Sequence, residues 1–425
     1  MKLEAFLYNT LNRTVASAIG LAAPFHTKAR KLYEGHKSLI NSIEKHFQSE
    51  KAPVAWFHCA SLGEFEQGRP VMEAFKKEYP DYKILLTFFS PSGYEVRKDY
   101  AGADFICYLP FDTPGQAKRF IQAAKPRIAF FVKYEYWYNY LRLLHEQNVP
   151  TFLVSGIFNP SFIFFKPYGG FYRKMLLYFT HLFVQNKESA RLLDSIGIRN
   201  YSLGGDTRFD RVAAICQQPK KIPLAEAFKA DQPLLVAGSS WEPDLRVLAP
   251  LLLHYKGKLK AIIAPHEADE AHVEEAEEIL SGLHICRFSK ATEETAAKAD
   301  VLLIDNVGML SSLYALGDYA FVGGGFGKGL HNILEAATFG MPVFFGNKAY
   351  HIFQEAFDLI DRGGAFAIGS AGELQHRFSV LYEDEEKRKE AAHSCADYVQ
   401  ENTGATRQIM EYIQFMKKEN ARQNL

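Results

Sequence analysis

Four segments of the chain bring together residue types that could act on a sugar and a phosphate. The first is Ser61-Leu62-Gly63-Glu64, directly after an apolar run. Gly63 permits a tight turn, and Glu64 stands at or near the start of a helix. A carboxylate there can deprotonate a hydroxyl as general base, or simply complement the helix dipole. The second segment, Lys133-Tyr134-Glu135-Tyr136-Trp137-Tyr138-Asn139, places Glu135 after another apolar run. Glu135 is either a site acid or a helix cap paired with Lys133, and the aromatics around it serve packing or sugar stacking. In the third, Gly204 to Asp210, Arg208 can grip a phosphate or carboxylate through its planar fork, or form an interdomain ion pair.

The fourth segment, residues 321–337, reads as a strand, a glycine-rich loop and a helix start. Free N–H groups at a helix N-terminus favour phosphate, and Lys328 and His331 add donors. Glu335, one turn into the expected helix, stands where a carboxylate can accept both ribose hydroxyls. The loop matches neither the dinucleotide fingerprint nor a P-loop. Its specificity lies in His331, Asn332 and Glu335, with Ile333 and Leu334 between them, and a plain tight turn is the alternative. Pro265-His266 and Asp305-Asn306-Val307-Gly308-Met309 follow two further apolar runs and read as loops around a base and phosphate. No Asp-x-Asp pair or histidine cluster is suitably placed for a metal. No metal requirement and no cofactor are therefore expected.

These segments need a scaffold, and the hydrophobic pattern specifies its class. Continuously apolar runs at 54–57, 84–89, 105–109, 128–132, 151–154 and 182–184 alternate with helical stretches such as 65–79 and 116–124. Runs apolar on both faces are expected of strands buried in a parallel sheet. The alternation pauses over 211–232, a segment rich in Lys, Pro and Ala that reads as a linker. It resumes with runs at 234–237, 261–264, 301–304, 319–322 and 342–345. Two successive α/β doubly wound domains imply a cleft between them, with ligands at the carboxyl ends of the strands. Residues 383–418 read as one or two charged C-terminal helices. The resulting division is 1–50 helical, 51–215 and 216–395 Rossmann-like, and 396–425 a C-terminal helix.

At 425 residues, with 48% hydrophobic and 23% charged, the composition is that of an ordinary globular protein of two or three domains. Basic and acidic residues both number 49, which gives no general reason to expect nucleic acid. Five scattered cysteines with no C-x-x-C pair read as reduced thiols. Residues 3–25 are moderately apolar and are followed by Lys28, Arg30 and Lys31. They are too interrupted by polar groups to span a bilayer. They fit an amphipathic helix lying on a membrane surface, or equally a helix packed on its own domain.

Taken in order, the motifs resemble those of the Kdo (3-deoxy-octulosonic acid) transferases of lipopolysaccharide synthesis, which have the GT-B fold. Ser61-Leu62-Gly63-Glu64 is similar to the family's S-[VL]-G-E. Residues 133–139 resemble its E-T-E-L-W-P-N, residues 206–210 its N-L-K-F-D, and residues 329–336 its G-G-H-N-P-L-E-P. The resemblance implies Glu64 as general base and Glu135 and Arg208 as supports of the transition state. It implies that Pro265, His266, Val307, Gly308, Met309 and Asn332 to Glu335 hold the CMP of a CMP-Kdo donor. It also implies a lipid A precursor as acceptor and an N-terminal membrane contact at the cytoplasmic face of the bacterial inner membrane. Four positions depart from the family: Lys133 for an acid, Arg208 for lysine, His266 for arginine and Met309 for a carboxylate.

The expected reaction is an inverting displacement of CMP by a lipid sugar hydroxyl. Another GT-B transferase using a UDP-sugar is the nearest alternative. A non-catalytic membrane-associated module on this fold is the other, and retention of Glu64 argues against it.

Overall fold

The computed structural model describes residues 2–423. It divides into two compact units. The first comprises the chain up to Arg211 together with the residues from Thr403 onward, and the second is Val212–Asn402.

Seven strands form the sheet of the first unit: β1 Val54–Cys59, β2 Lys83–Phe88, β3 Phe105–Tyr108, β4 Pro126–Val132, β5 Thr151–Gly156, β6 His181–Val184 and β7 Tyr201–Leu203. All pair in parallel, in the order β3-β2-β1-β4-β5-β6-β7. Helices pack on both faces, which is why β1, β2, β4, β5 and β6 carry side chains almost wholly removed from water. Phe57 and Phe130 stack face to face at 4.4 Å between β1 and β4. Each such buried aromatic or aliphatic side chain contributes roughly 1.5–3 kcal/mol.

The second sheet follows the same logic with β8 Leu234–Ser240, β9 Lys260–Pro265, β10 Ile285–Arg287, β11 Val301–Leu303, β12 Tyr319–Val322, β13 Val343–Gly346 and β14 Ala365–Ile368. It too is parallel throughout, ordered β10-β11-β9-β8-β12-β13-β14. In each sheet the strand order reverses direction beside the unit's first strand: between β1 and β4, and between β8 and β12. Crevices at such switch points, outside the carboxyl ends of the strands, are where ligands of open α/β sheets bind.

The segment read as a linker is largely helical, in Thr207–Gln217 and Pro223–Lys229. Pro223 is preorganised for a first turn, and Ala225 and Phe228 are buried. A composition without strand pattern here encodes short helices rather than a tether.

Before β1 run three helices, Lys2–Ala22, Thr27–His36 and Leu39–Phe47. The first is apolar on two sides. Ala5, Tyr8 and Ile19 pack toward the core, while Leu3, Phe6, Leu7, Leu11 and Val15 face solvent. Its inner side is latched. Tyr8 donates to Asp112 at 2.7 Å, and Asn139 Nδ2 donates to Asn9 at 2.8 Å. Burial raises the Asp112 carboxyl to about 6, partly opposed by the Tyr8 hydroxyl and the N–H groups of Asn139 and Tyr140.

The last helix, Ala405–Gln423, returns to the first unit. Ile409, Met410 and Ile413 are buried against Phe75, Phe130, Phe152 and Phe183. Asp210 caps this helix, taking the N–H groups of Gly404 and Thr406 at 2.6 Å each.

Candidate active site

In the first unit the two candidate carboxylates follow the two strands that flank the switch point. Glu64 lies in the first turn of helix Leu62–Glu78, which opens immediately beyond β1. Ser61, the residue before that helix, donates its hydroxyl to the Glu64 carboxylate rather than capping a backbone N–H. Glu64 is half-buried, so a substrate hydroxyl can reach it.

Glu135 follows β4 and is only 7% exposed. His58, wholly buried in β1, places Nε2 2.8 Å from its carboxylate, and Trp137 Nε1 donates to the same oxygen at 2.6 Å. On its other side His58 Nδ1 lies 2.9 Å from the Thr87 hydroxyl, which accepts from Trp56 Nε1 at 2.8 Å. A carboxylate only accepts, so His58 Nε2 carries a proton and the Thr87 hydroxyl faces Nδ1. Two N–H donors thus fix Glu135 in a dry setting, where such bonds are strong. Glu135 is not a helix cap, since Trp137 holds that position before helix Tyr138–Glu146.

Arg208 donates from Nε to Asp206, two residues earlier, at 2.8 Å. This ion pair is local to the first unit. Gln67 Nε2 also reaches both Asp206 oxygens at 3.1 Å. Thr207 meets the Ser155 hydroxyl at 3.0 Å, which ties the loop after β7 to the rest of the unit.

The three residues share one neighbourhood. Burial raises the Tyr134 hydroxyl, Glu64 raises it further and Arg208 lowers it. The buried Cys59 thiol is pushed up by burial, then by Glu64 and Glu135.

In the second unit an aromatic stack stands over the switch point. Trp241 follows β8, His266 follows β9, and His331 lies in the loop after β12. The Trp241 and His266 rings are 4.7 Å apart, and those of His266 and His331 4.4 Å, both stacked. Trp241 Nε1 donates to His331 Nε2 at 3.3 Å, so His331 keeps its own proton on Nδ1. Burial, then His266, lower the His331 imidazole to about 4, and burial lowers His266 as well. Both rings are therefore neutral near pH 7. The Lys328 ammonium, exposed, sits 5.1 Å from the Trp241 ring centre.

The glycine-rich loop is held from below by buried Asp244, whose Oδ2 takes the N–H groups of Trp241 and Gly324 at 2.9 Å each. Gly324 has φ +86°, and a Cβ there would lie 2.2 Å from the Gly329 carbonyl oxygen. Desolvation raises the Asp244 carboxyl to about 6 despite these bonds.

The helix expected to begin near His331 begins at Leu334 and ends at Ala337. Asn332 Oδ1 accepts the Leu334 N–H at 3.2 Å, and this local turn delays the helix. Glu335 therefore sits in the first turn, not one turn in. A single turn carries little dipole, so a phosphate here depends on side chains and loop amides. Glu335 accepts from Asn332 Nδ2 and from Ser311, both at 3.2 Å. Ile333 and Leu334 are buried and offer a ligand only their backbone.

Pro265 closes β9. Gly308 takes φ +94° and Met309 precedes the short helix Leu310–Leu313, whereas Val307 is 86% exposed. Among the described residues Glu267, Asp269 and His272 form a cluster that could share a cation. Its members already pair with one another: His272 Nδ1 lies 2.8 Å from Asp269 and Nε2 3.4 Å from Glu267.

Residues 36–211 match the family model described as 3-deoxy-D-manno-octulosonic-acid transferase (kdotransferase). Curated relatives of that name extend the match across both units. The Aquifex aeolicus transferase is 29% identical over 332 residues, 77% of this chain and 85% of its own. The Chlamydophila psittaci transferase is 29% identical over 390 residues, 85% of this chain and 84% of its own. Along most of its length the chain is similar to the Kdo transferases. It is a glycosyltransferase, and the family's work is Kdo transfer in lipopolysaccharide synthesis.

Solved structures give the transferase its fold class. UDP-GlcNAc 2-epimerase from Neisseria meningitidis aligns with a TM-score of 0.60 at 16% identity, covering 85% of this chain and 99% of the epimerase. MurG from Acinetobacter baumannii aligns at 0.54 with 12% identity, covering 85% and 99%. The transferase is an α/β protein of the GT-B fold.

His58, Thr87, Trp137, Trp241, Asp244 and Ser311 are absent from the sequence-derived site. His58 was concealed because it continues an apolar strand. A signal for Trp241 did exist: it follows the first strand of its sheet, as Ser61 does in the other.

Proposed function

We propose that this transferase moves Kdo from CMP-Kdo to a hydroxyl of a lipid A precursor, with inversion at the anomeric carbon. The observation that carries the reading is Glu64, accessible in the first turn beyond β1 and fixed by the Ser61 hydroxyl. Glu64 removes the proton from the acceptor hydroxyl. The oxygen forms a bond to the anomeric carbon as the bond from that carbon to the phosphate oxygen of CMP breaks. Glu135 and Arg208 support charge developing around the sugar.

The second unit holds the nucleotide. Glu335, aligned by Ser311 and Asn332, accepts the ribose hydroxyls. Lys328 and the His331 Nδ1–H offer donors to the phosphate, and Trp241, His266 and His331 present ring faces. Proton removal by a carboxylate and departure of a nucleoside monophosphate need no metal from these residues.

Helix Lys2–Ala22 contacts the cytoplasmic face of the inner membrane. Its support is the outward row of Leu3, Leu7, Leu11 and Val15, with Lys28, Arg30 and Lys31 exposed just beyond. No helix among the described residues is long and apolar enough to cross a membrane.

The test supplies purified protein with CMP-Kdo and a tetraacylated disaccharide bisphosphate, and reads product mass. Addition of Kdo to the acceptor is expected from the wild type. Glu64→Gln should retain CMP-Kdo binding and lose most turnover. Near-normal rates in that variant would remove Glu64 from the role of base.

A further inference from the structure

The loop that carries Glu135 also walls an aromatic cavity of about 420 Å³. Tyr8 forms one side, Tyr134, Tyr136 and Trp137 another, and the turn from Phe162 to Phe164 a third. Three polar groups of this lining are spent on the walls. Tyr8 donates to Asp112, Tyr136 to the Lys133 carbonyl at 3.4 Å, and Trp137 to Glu135. Glu135 is turned to His58 and Trp137. What remains for an occupant is ring faces, the Ile163 side chain and the hydroxyls of Tyr134 and Tyr172. A sugar would find few hydrogen-bond partners there, whereas a hydrocarbon chain would lose water at little polar cost.

Two features say which hydrocarbon. Tyr8 belongs to helix Lys2–Ala22, so the cavity adjoins the helix whose opposite side exposes Leu3, Leu7 and Leu11. Tyr134, 42% exposed, joins the cavity to the neighbourhood of Glu64 and Arg208, both of which act on its hydroxyl. The cavity thus adjoins an exposed apolar helix through Tyr8 and, through Tyr134, a hydroxyl that feels the candidate base. It is also braced: Arg173 donates to the carbonyls of Phe164 and Lys166 at 2.9 Å each, fixing the turn that forms the third wall.

We propose that this cavity binds a fatty-acyl chain of the acceptor and thereby sets the acceptor's hydroxyl against Glu64. The inference rests on the reading of the acceptor as an acylated sugar and adds a subsite that selects for the acyl chain.

Ile163→Trp fills the cavity, and Phe162→Ala removes part of its wall if the larger side chain disturbs folding. With the tetraacylated acceptor, Ile163→Trp should raise KM at least about tenfold while kcat and the KM for CMP-Kdo stay unchanged. With the same disaccharide stripped of its acyl chains, wild type and variant should give equal KM. A separate arm needs no catalysis. A brominated fatty acid below its micelle concentration should quench Trp137 emission in the wild type, and Trp137→Phe should lose that quenching. Equal KM changes with both acceptors, or none with either, overturn the proposal. So does a variant that only weakens association with phosphatidylglycerol vesicles, which would make the cavity an anchor for bulk lipid. Absence of Kdo transfer by the wild type defeats the reading of the reaction. Absence of quenching defeats the subsite alone.

Discussion

His58 Nε2 and the Glu135 carboxylate meet at 2.8 Å, with His58 wholly buried and Glu135 nearly so. They join β1 to the loop after β4, the two strands that flank the reversal of the first sheet. Removing one partner of such a pair leaves the other desolvated and under-bonded. His58→Leu is expected to lower stability by about 2–4 kcal/mol in urea denaturation. Glu135→Gln keeps an oxygen for Trp137 and should cost less than about 1.5 kcal/mol, yet reduce turnover. Equal destabilisation by both variants would show that the charge on Glu135 matters only to folding.

Asp210 holds the C-terminal helix by two short bonds to its first turn. Asp210→Ala should destabilise the protein by about 1–3 kcal/mol. Limited proteolysis should then cut within 405–423 sooner than in the wild type. A fragment pattern unchanged by the substitution would mean that Ile409, Met410 and Ile413 suffice to hold the helix.

His181 gives a pH dependence whose sign is fixed. Burial lowers its imidazole to about 4 in the fold, against about 6.5 in the unfolded chain. Between those values the unfolded state binds the extra proton, so stability falls as pH drops from about 6.5 to about 4. Asp112, raised to about 6, works in the opposite sense, losing stability as pH rises from about 4 to about 6. His181→Phe preserves the stack on Tyr412 and removes the titration. Its acid-side loss of stability should be smaller than that of the wild type by on the order of 1–2 kcal/mol. Parallel stability curves for the two proteins from pH 7 to pH 4.5 would contradict this.

His266 stands where the family resemblance has a permanent cation, and burial lowers its imidazole. A neutral ring attracts a phosphate less than a permanent cation does at neutral pH. His266→Arg can keep the stack on Trp241 and restore the charge. CMP affinity at pH 7.5 is expected to rise roughly three- to tenfold by calorimetric titration, about 0.7–1.4 kcal/mol. Weaker CMP binding in the arginine variant would show that the stack needs a flat neutral ring here. UDP should compete poorly with CMP in both proteins.

The central strands were legible because burial on both faces leaves an unbroken apolar run. Three strands were not: β7 Tyr201–Leu203, β10 Ile285–Arg287 and β14 Ala365–Ile368. Each is an edge of its sheet, three or four residues long and partly exposed. An edge strand needs no continuous apolar signal. Glu64 and Glu135 could be found because an acid directly after a buried strand is conspicuous. His58 could not, since its partner is 77 residues away and only the sheet order brings the two together. The late start of helix Leu334–Ala337 was likewise hidden, because Asn332 diverts the backbone by a local bond that spacing alone does not reveal.

The return of Ala405–Gln423 to the first sheet bears on how the protein is made. On the ribosome the first unit emerges early but lacks the helix that covers Phe75, Phe130, Phe152 and Phe183 until the whole second unit has been synthesised. Those aromatic rings wait uncovered for about half the chain's translation, a period in which exposed apolar surface invites chaperones or aggregation.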